Sequence, residues 1–161
     1  MNLYKAIYDS PVGLLYLISN DQKLLLLKFH LNDNNFLKNK LINKSNKILE
    51  KTKKQLSEYF EGDRKNFDIP LDFIYGTNFQ KKVWNQLRKI NYGNTASYKY
   101  IAEKINNPKS YRAVGNANNK NPISIIVPCH RIISNSGDLA GYGGGLDKKK
   151  YLLTLEHSNP N

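Results

Sequence analysis

The part of this sequence with the most chemical potential is Val127-Pro128-Cys129-His130-Arg131, which holds the only cysteine of the chain. A thiol with an imidazole and a guanidinium close by is a candidate for a lowered pKa, and the thiolate is the nucleophilic form. A lone cysteine also serves as a small buried hydrophobe, so the pentapeptide alone leaves both readings open. One cysteine rules out an intrachain disulfide framework and a multi-cysteine zinc site. The three histidines, His30, His130 and His157, are scattered without metal-ligand spacing, so no metal is expected. The run Gly141-Tyr142-Gly143-Gly144-Gly145 lets backbone approach a ligand or turn tightly. It lacks the spacing of a phosphate-binding loop, so no nucleotide cofactor is expected either.

Cys129 has to be positioned by the segments on either side of it. The apolar run Ile123 to Val127 reads as an extended strand leading into it, and Ile132-Ile133 continues past it. Upstream, Thr77 and Gln80 fit a capping box that opens a helix carrying Phe79, Val83, Trp84, Leu87 and Ile90 at helical spacing. Ser97 can cap a second helix, with Ile101, Ala102 and Ile105 turned inward. Pro108 can start a third that runs from Lys109 to about Ala117. Two short helices joined by a tight turn fit a helix-turn-helix, and they fit any small helical bundle equally well. A last helix, about Leu146 to Glu156, offers Leu146, Leu152, Leu153 and Leu155 to a core.

Residues 1–75 contain no visible chemistry and read as an α+β scaffold. Leu14 to Ile18 and Leu24 to Phe29 form a hairpin, and residues 32–46 read as irregular or weakly helical. Lys47 to Phe60 is a helix that Gly62 ends, and Phe67 to Leu71 is extended, with Pro70 keeping it out of a central strand. The chain has 161 residues, of which 40% are hydrophobic, enough for one ordinary domain or two small ones. With 25 Lys and Arg against 13 Asp and Glu the net charge is +12. That excess suits nucleic acid or an acidic membrane surface, and solvated lysines would produce the same number. No signal-peptide core or membrane-length apolar run is present, so the chain reads as soluble and cytoplasmic.

Four blocks in order resemble the O6-alkylguanine-DNA alkyltransferases, also called methylated-DNA–protein-cysteine methyltransferases. They are Gly76-Thr77-Asn78-Phe79-Gln80 with Val83-Trp84, then Tyr111-Arg112-Ala113-Val114-Gly115. Asn121-Pro122 through Ile126-Val127-Pro128-Cys129-His130-Arg131 and Gly141 to Leu146 complete the set. The resemblance covers residues 76–156. It implies an N-terminal ribonuclease-H-like α/β domain, residues 1–75, and a C-terminal winged helix-turn-helix domain, residues 76–161.

The activity implied is single-turnover transfer of a methyl group from O6-methylguanine, and less efficiently O4-methylthymine, to Cys129. The partner implied is double-stranded DNA, bound by a monomer without metal or cofactor. By resemblance, His130 takes the thiol proton through a water, Glu156 orients His130, Tyr98 serves the departing guanine and Asn121 ties the turn before the nucleophile. Arg112 fills the gap left by a flipped base, and Ala113, Gly115 and Ala117 allow close approach to DNA. Tyr142, Gly143, Gly144 and Val127 wall the base pocket. Asn91 stands where the family often has proline. No zinc-ligand set or preceding phosphotriester-repair domain is read, and Asn118 and Ser124 fall where relatives vary. Two other classes remain in view: a winged-helix DNA-binding module with a structural Cys129, and a Cys-His acyl hydrolase. Neither accounts for Arg112, Asn121 and Tyr142 together.

Overall fold

A computed structural model describes residues 2–31 and 40–159, and the chain divides into two compact units, Met1–Tyr75 and Gly76–Asn161. In the first unit β1 (Leu3–Ser10), β2 (Gly13–Ser19) and β3 (Leu24–Lys28) form an antiparallel meander. Leu24 to Leu27 are all buried, as expected of a strand covered on both faces. Leu3, Ile18, Leu25 and Leu26 make one cluster of this core. Helix α1 (Lys47–Phe60) is capped by Asn46, whose Oδ1 accepts from Leu49 N at 2.9 Å. The same side chain donates to Ser19 Oγ and Asn20 O at 2.9 and 3.0 Å, so the cap also pins the helix to the end of β2.

The scaffold departs from the sequence reading at one place. Leu41–Ile42 is a strand, β4, paired parallel to β1, where an irregular or weakly helical segment was expected. Two residues are too few to carry a period, so only the neighbouring strand reveals them. The rest of that segment, residues 32–39, lies outside the described residues. Pro70 sits where its missing N–H does no harm: its carbonyl accepts from Leu24 N along an edge bridge between Leu24 and Leu71.

In the second unit α2 (Asn78–Leu87) opens with the expected capping box, Thr77 and Gln80 each bonding the other's backbone. A two-residue strand, β5 (Ala96–Ser97), leads into α3 (Tyr98–Lys104), which Ser97 caps. Pro108–Ser110 forms a single 3₁₀ turn before α4 (Tyr111–Asn119), so the third helix begins slightly later and tighter than its sequence suggests. Strand β6 (Ile132–Ile133) pairs parallel with β5, and α5 (Leu146–Ser158) closes the unit. Trp84 holds α2 to α4, its Nε1 donating to Ala117 O at 2.8 Å in the core.

Leu146 was expected in the core and is 50% exposed; the buried positions of α5 are Lys149, Leu152 and Glu156. The helix turns two of its charged residues, Lys149 and Glu156, inward, which an apolar pattern cannot reveal.

Gly76 enters α2 with φ +112°, and a Cβ there would lie 2.7 Å from two ring carbons of Trp84. Gly76→Ala is expected to cost about 1–3 kcal/mol through the positive φ and the displaced indole. Thermal denaturation checks it, and an unchanged midpoint would contradict it.

Candidate active site

The segment that delivers Cys129 is not a strand. Residues 123–127 turn, with Val127 N donating to Ile123 O at 3.0 Å and Ile125 at φ +71°. The cause is Asn121. Its Oδ1 accepts from Ile123 N at 3.0 Å, and its Nδ2 donates to Val127 O at 2.8 Å and Ile123 O at 3.3 Å. A buried side chain that bonds this much of the local backbone outcompetes a ladder. Cys129 then begins a 3₁₀ turn, Cys129–Arg131, that runs into β6. Asn118 on α4 reaches the same turn, its Nδ2 donating to Cys129 O at 3.4 Å.

His130 and Arg131 share one carboxylate. Glu156 Oε2 accepts from His130 Nε2 at 2.7 Å, and Arg131 adds Nε to Oε1 at 2.8 Å and Nη2 to Oε2 at 3.0 Å. Gly93 N reaches Oε1 at 3.4 Å, and Arg131 Nη1 donates to Ile90 O at 2.7 Å. All three side chains are buried. Burial pushes the Glu156 carboxyl up, but the bonds and charges of His130 and Arg131 outweigh it and hold it well below the usual carboxylate range. Burial pushes His130 down, and the hydrogen bond and charge of Glu156 only partly restore it, so the imidazole is neutral at pH 7. An ionised carboxylate only accepts, so Nε2 carries the proton and Nδ1 presents a lone pair. Nδ1 is buried and has no hydrogen-bond partner among the described residues.

The thiol itself is 4% exposed, and burial raises its pKa. The polar side chains of Asn121, Tyr142 and Ser124 and the charge of Lys149 pull the other way without reversing the shift. The cation that acts on the thiol is therefore Lys149 of α5, whereas the sequence suggested His130 and Arg131. No sequence signal marked Lys149, one of three consecutive lysines; the helical spacing from Lys149 through Leu152 to Glu156 was the available clue.

The remaining candidates divide between this centre and the surface. Tyr98, half-buried at the start of α3, has its pKa raised by burial and by the charge of Cys129. Tyr142 is raised well above its ordinary value by burial and by Cys129, and Val127 is fully buried. Gly143 is exposed and Gly144 half-buried. On α4, Arg112 and Ala113 face solvent, whereas Ala117 is buried and offers nothing outward. A methyl at Gly115 would rest in ordinary contact with the Tyr98 ring, the nearest carbon at 3.4 Å. The interior therefore does not demand a glycine there. Among the described residues no group of three His, Cys, Asp or Glu could hold a metal, and no helix is long and apolar enough to cross a membrane.

Comparison with known proteins assigns both units. The ribonuclease-like domain of 6-O-methylguanine DNA methyltransferase matches residues 3–73, and the DNA binding domain of the same family matches residues 78–158. The chain belongs to the 6-O-methylguanine DNA methyltransferase family. It is thus a methyltransferase, and the resemblance and mixed α+β class read from its sequence hold. The methylated-DNA–protein-cysteine methyltransferase of Methanosarcina acetivorans is 44% identical over 156 residues, spanning 97% of this chain and 99% of that protein. The crystal structure of Mycobacterium tuberculosis O6-methylguanine methyltransferase superposes with a TM-score of 0.88 at 40% identity, covering 99% of this chain and 95% of that one. Mycobacterium tuberculosis OGT in complex with DNA gives 0.86 at 42% identity, covering 99% and 94%.

Replacing Glu156 by alanine strands a buried guanidinium beside His130, and the expected loss is about 3–5 kcal/mol. In the wild type, the depressed His130 and Glu156 both bind fewer protons folded than unfolded. Stability should therefore fall as pH drops below about 6.5, and further below about 4.3. Urea denaturation across pH tests both points; a Glu156→Ala midpoint equal to wild type, or no acid loss, contradicts them.

Proposed function

We propose that the protein repairs DNA by moving the methyl group of O6-methylguanine onto Cys129 Sγ. The observation that carries this reading is the buried His130–Glu156 pair at 2.7 Å, adjoining the chain's single cysteine. His130 Nδ1 takes the thiol proton through a water, and Glu156 stabilises the imidazolium that forms. The sulfur lone pair forms the S–CH3 bond in line as the CH3–O6 bond breaks, and the electron pair stays on the guanine. Tyr98, kept protonated by its raised pKa, donates to that leaving base. Asn121 fixes the turn that aims the sulfur. Tyr142, Gly143, Gly144 and Val127 wall the base pocket.

A base inside a duplex cannot reach a thiol buried to this degree, so the lesion is flipped out, at a cost of a few kcal/mol. Arg112, exposed on α4 without an ion pair among the described residues, fills the vacated stack; Ala113 and Gly115 let the helix close on the minor groove. A net charge of +12 supports phosphate contacts that do not depend on sequence, as does the DNA-bound Mycobacterium tuberculosis relative. O4-methylthymine is the poorer substrate. S-methylcysteine is a thioether with no easy leaving route, so each molecule acts once. One chain carries every group named, so a monomer suffices, and the reduced thiol suits the cytoplasm.

Incubation with a duplex containing O6-methylguanine should add the mass of one methyl group at Cys129, measured on the intact protein. Cys129→Ser should gain nothing. Several methyl groups removed per protein molecule would contradict the reading.

A further inference from the structure

Helix α5 buries two charged side chains on one stripe, Glu156 and, seven residues earlier, Lys149. Glu156 has the Arg131 guanidinium beside it. Lys149 is fully buried, and its partners are neutral: Nζ donates to the carbonyl oxygens of Ile132 and, at 3.2 Å, Ala140. Those carbonyls belong to two separate arms of the site. Ile132 follows directly on the turn that holds Cys129, and Ala140 stands two residues before Tyr142, whose hydroxyl is electrostatically coupled to Cys129. Two carbonyls take two of the ammonium's three N–H groups and leave its charge uncompensated, an expensive condition in a core.

The ionisable groups around this point come from every adjoining element: His130 and Arg131 on the turn, Glu156 on α5, Tyr98 on α3 and Tyr142 on the loop. His130 and Arg131 are committed to Glu156. The acidic group whose ionised form stabilises Lys149 is Cys129, and Lys149 in turn stabilises the thiolate.

We propose that Lys149 is a positioning residue for methyl transfer: its buried ammonium ties the Cys129 turn to the Tyr142 loop through two carbonyls and keeps a fixed positive charge near the sulfur. This rests on Cys129 being the acceptor. Negative charge gathers on sulfur when His130 removes the proton, and a cation already in place needs no reorganisation to meet it.

Three variants separate the clamp from the charge. Lys149→Arg keeps both, Lys149→Gln keeps an N–H donor without the charge, and Lys149→Met removes both. Cys129 is the sole cysteine, so its reaction with iodoacetamide can be followed by intact mass across pH. Single-turnover methyl transfer from an O6-methylguanine duplex is measured over the same range, with thermal melting to confirm folding. In the Gln variant the midpoint of the iodoacetamide profile should rise by about one pH unit. Its transfer should slow by about ten-fold at pH 7 and recover as pH rises. Arg should restore both toward wild type. A folded Gln variant with an unshifted profile, or a rate loss equal at every pH, overturns the proposal. If Met does not fold, Gln and Arg still decide. The iodoacetamide profile needs no DNA, so a wild type that accepts no methyl group would sink the proposed function and leave the Lys149 result readable.

Discussion

A carboxylate taken out of water must be surrounded by donors, and Glu156 is placed where the second unit can supply them. It receives His130 Nε2, two nitrogens of Arg131 and the amide of Gly93, from two separate parts of the chain. Each bond has a structural consequence. The Arg131 fork locks the turn that begins at Cys129 against α5, and the remaining guanidinium nitrogen fastens that turn to Ile90, just beyond α2. The bond to His130 fixes the ring and its tautomer. Removing the carboxylate would leave a cation buried without an anion, so the same contact that orients the chemistry also holds this unit together.

The thiol is governed by the opposite condition. Burial keeps it protonated, and the influences that oppose burial, from Asn121, Tyr142, Ser124 and the charge of Lys149, do not reverse it. A thiol in that state is sheltered from adventitious electrophiles and depends on a base to become a nucleophile. The neutral imidazole next in sequence suits that need in the proposed reaction, since its Nδ1 lone pair is left open by the bond at Nε2. Two raised tyrosines, Tyr98 and Tyr142, remain hydrogen-bond donors in the same surroundings.

Where the chain spells out its own local chemistry, the sequence was enough. The Thr77–Gln80 capping box, the Ser97 cap and the strand runs before Phe29 needed no tertiary information, and each is found in place. What escaped depended on partners distant in sequence. Apolar β-branched residues at 123–127 suggested a strand, and the side chain of Asn121 makes them a turn. Leu41–Ile42 becomes a strand only because β1 lies alongside. Cys129, His130 and Glu156 were singled out as a group, but nothing local told which cation would reach the sulfur. Arg131 is adjacent and turns to Glu156, while Lys149, inside a run of lysines, is the one that is buried.

The state of His130 is where these arguments meet, because it depends on Glu156 being ionised and on burial winning over that charge. Nitrogen-15 NMR of the imidazole, in protein labelled at histidine and compared with a His130→Gln variant for assignment, reads it directly. At pH 7 the ring should be neutral, with the proton on Nε2 and an unprotonated Nδ1. A ring protonated on Nδ1 alone, or a full imidazolium at that pH, would contradict it.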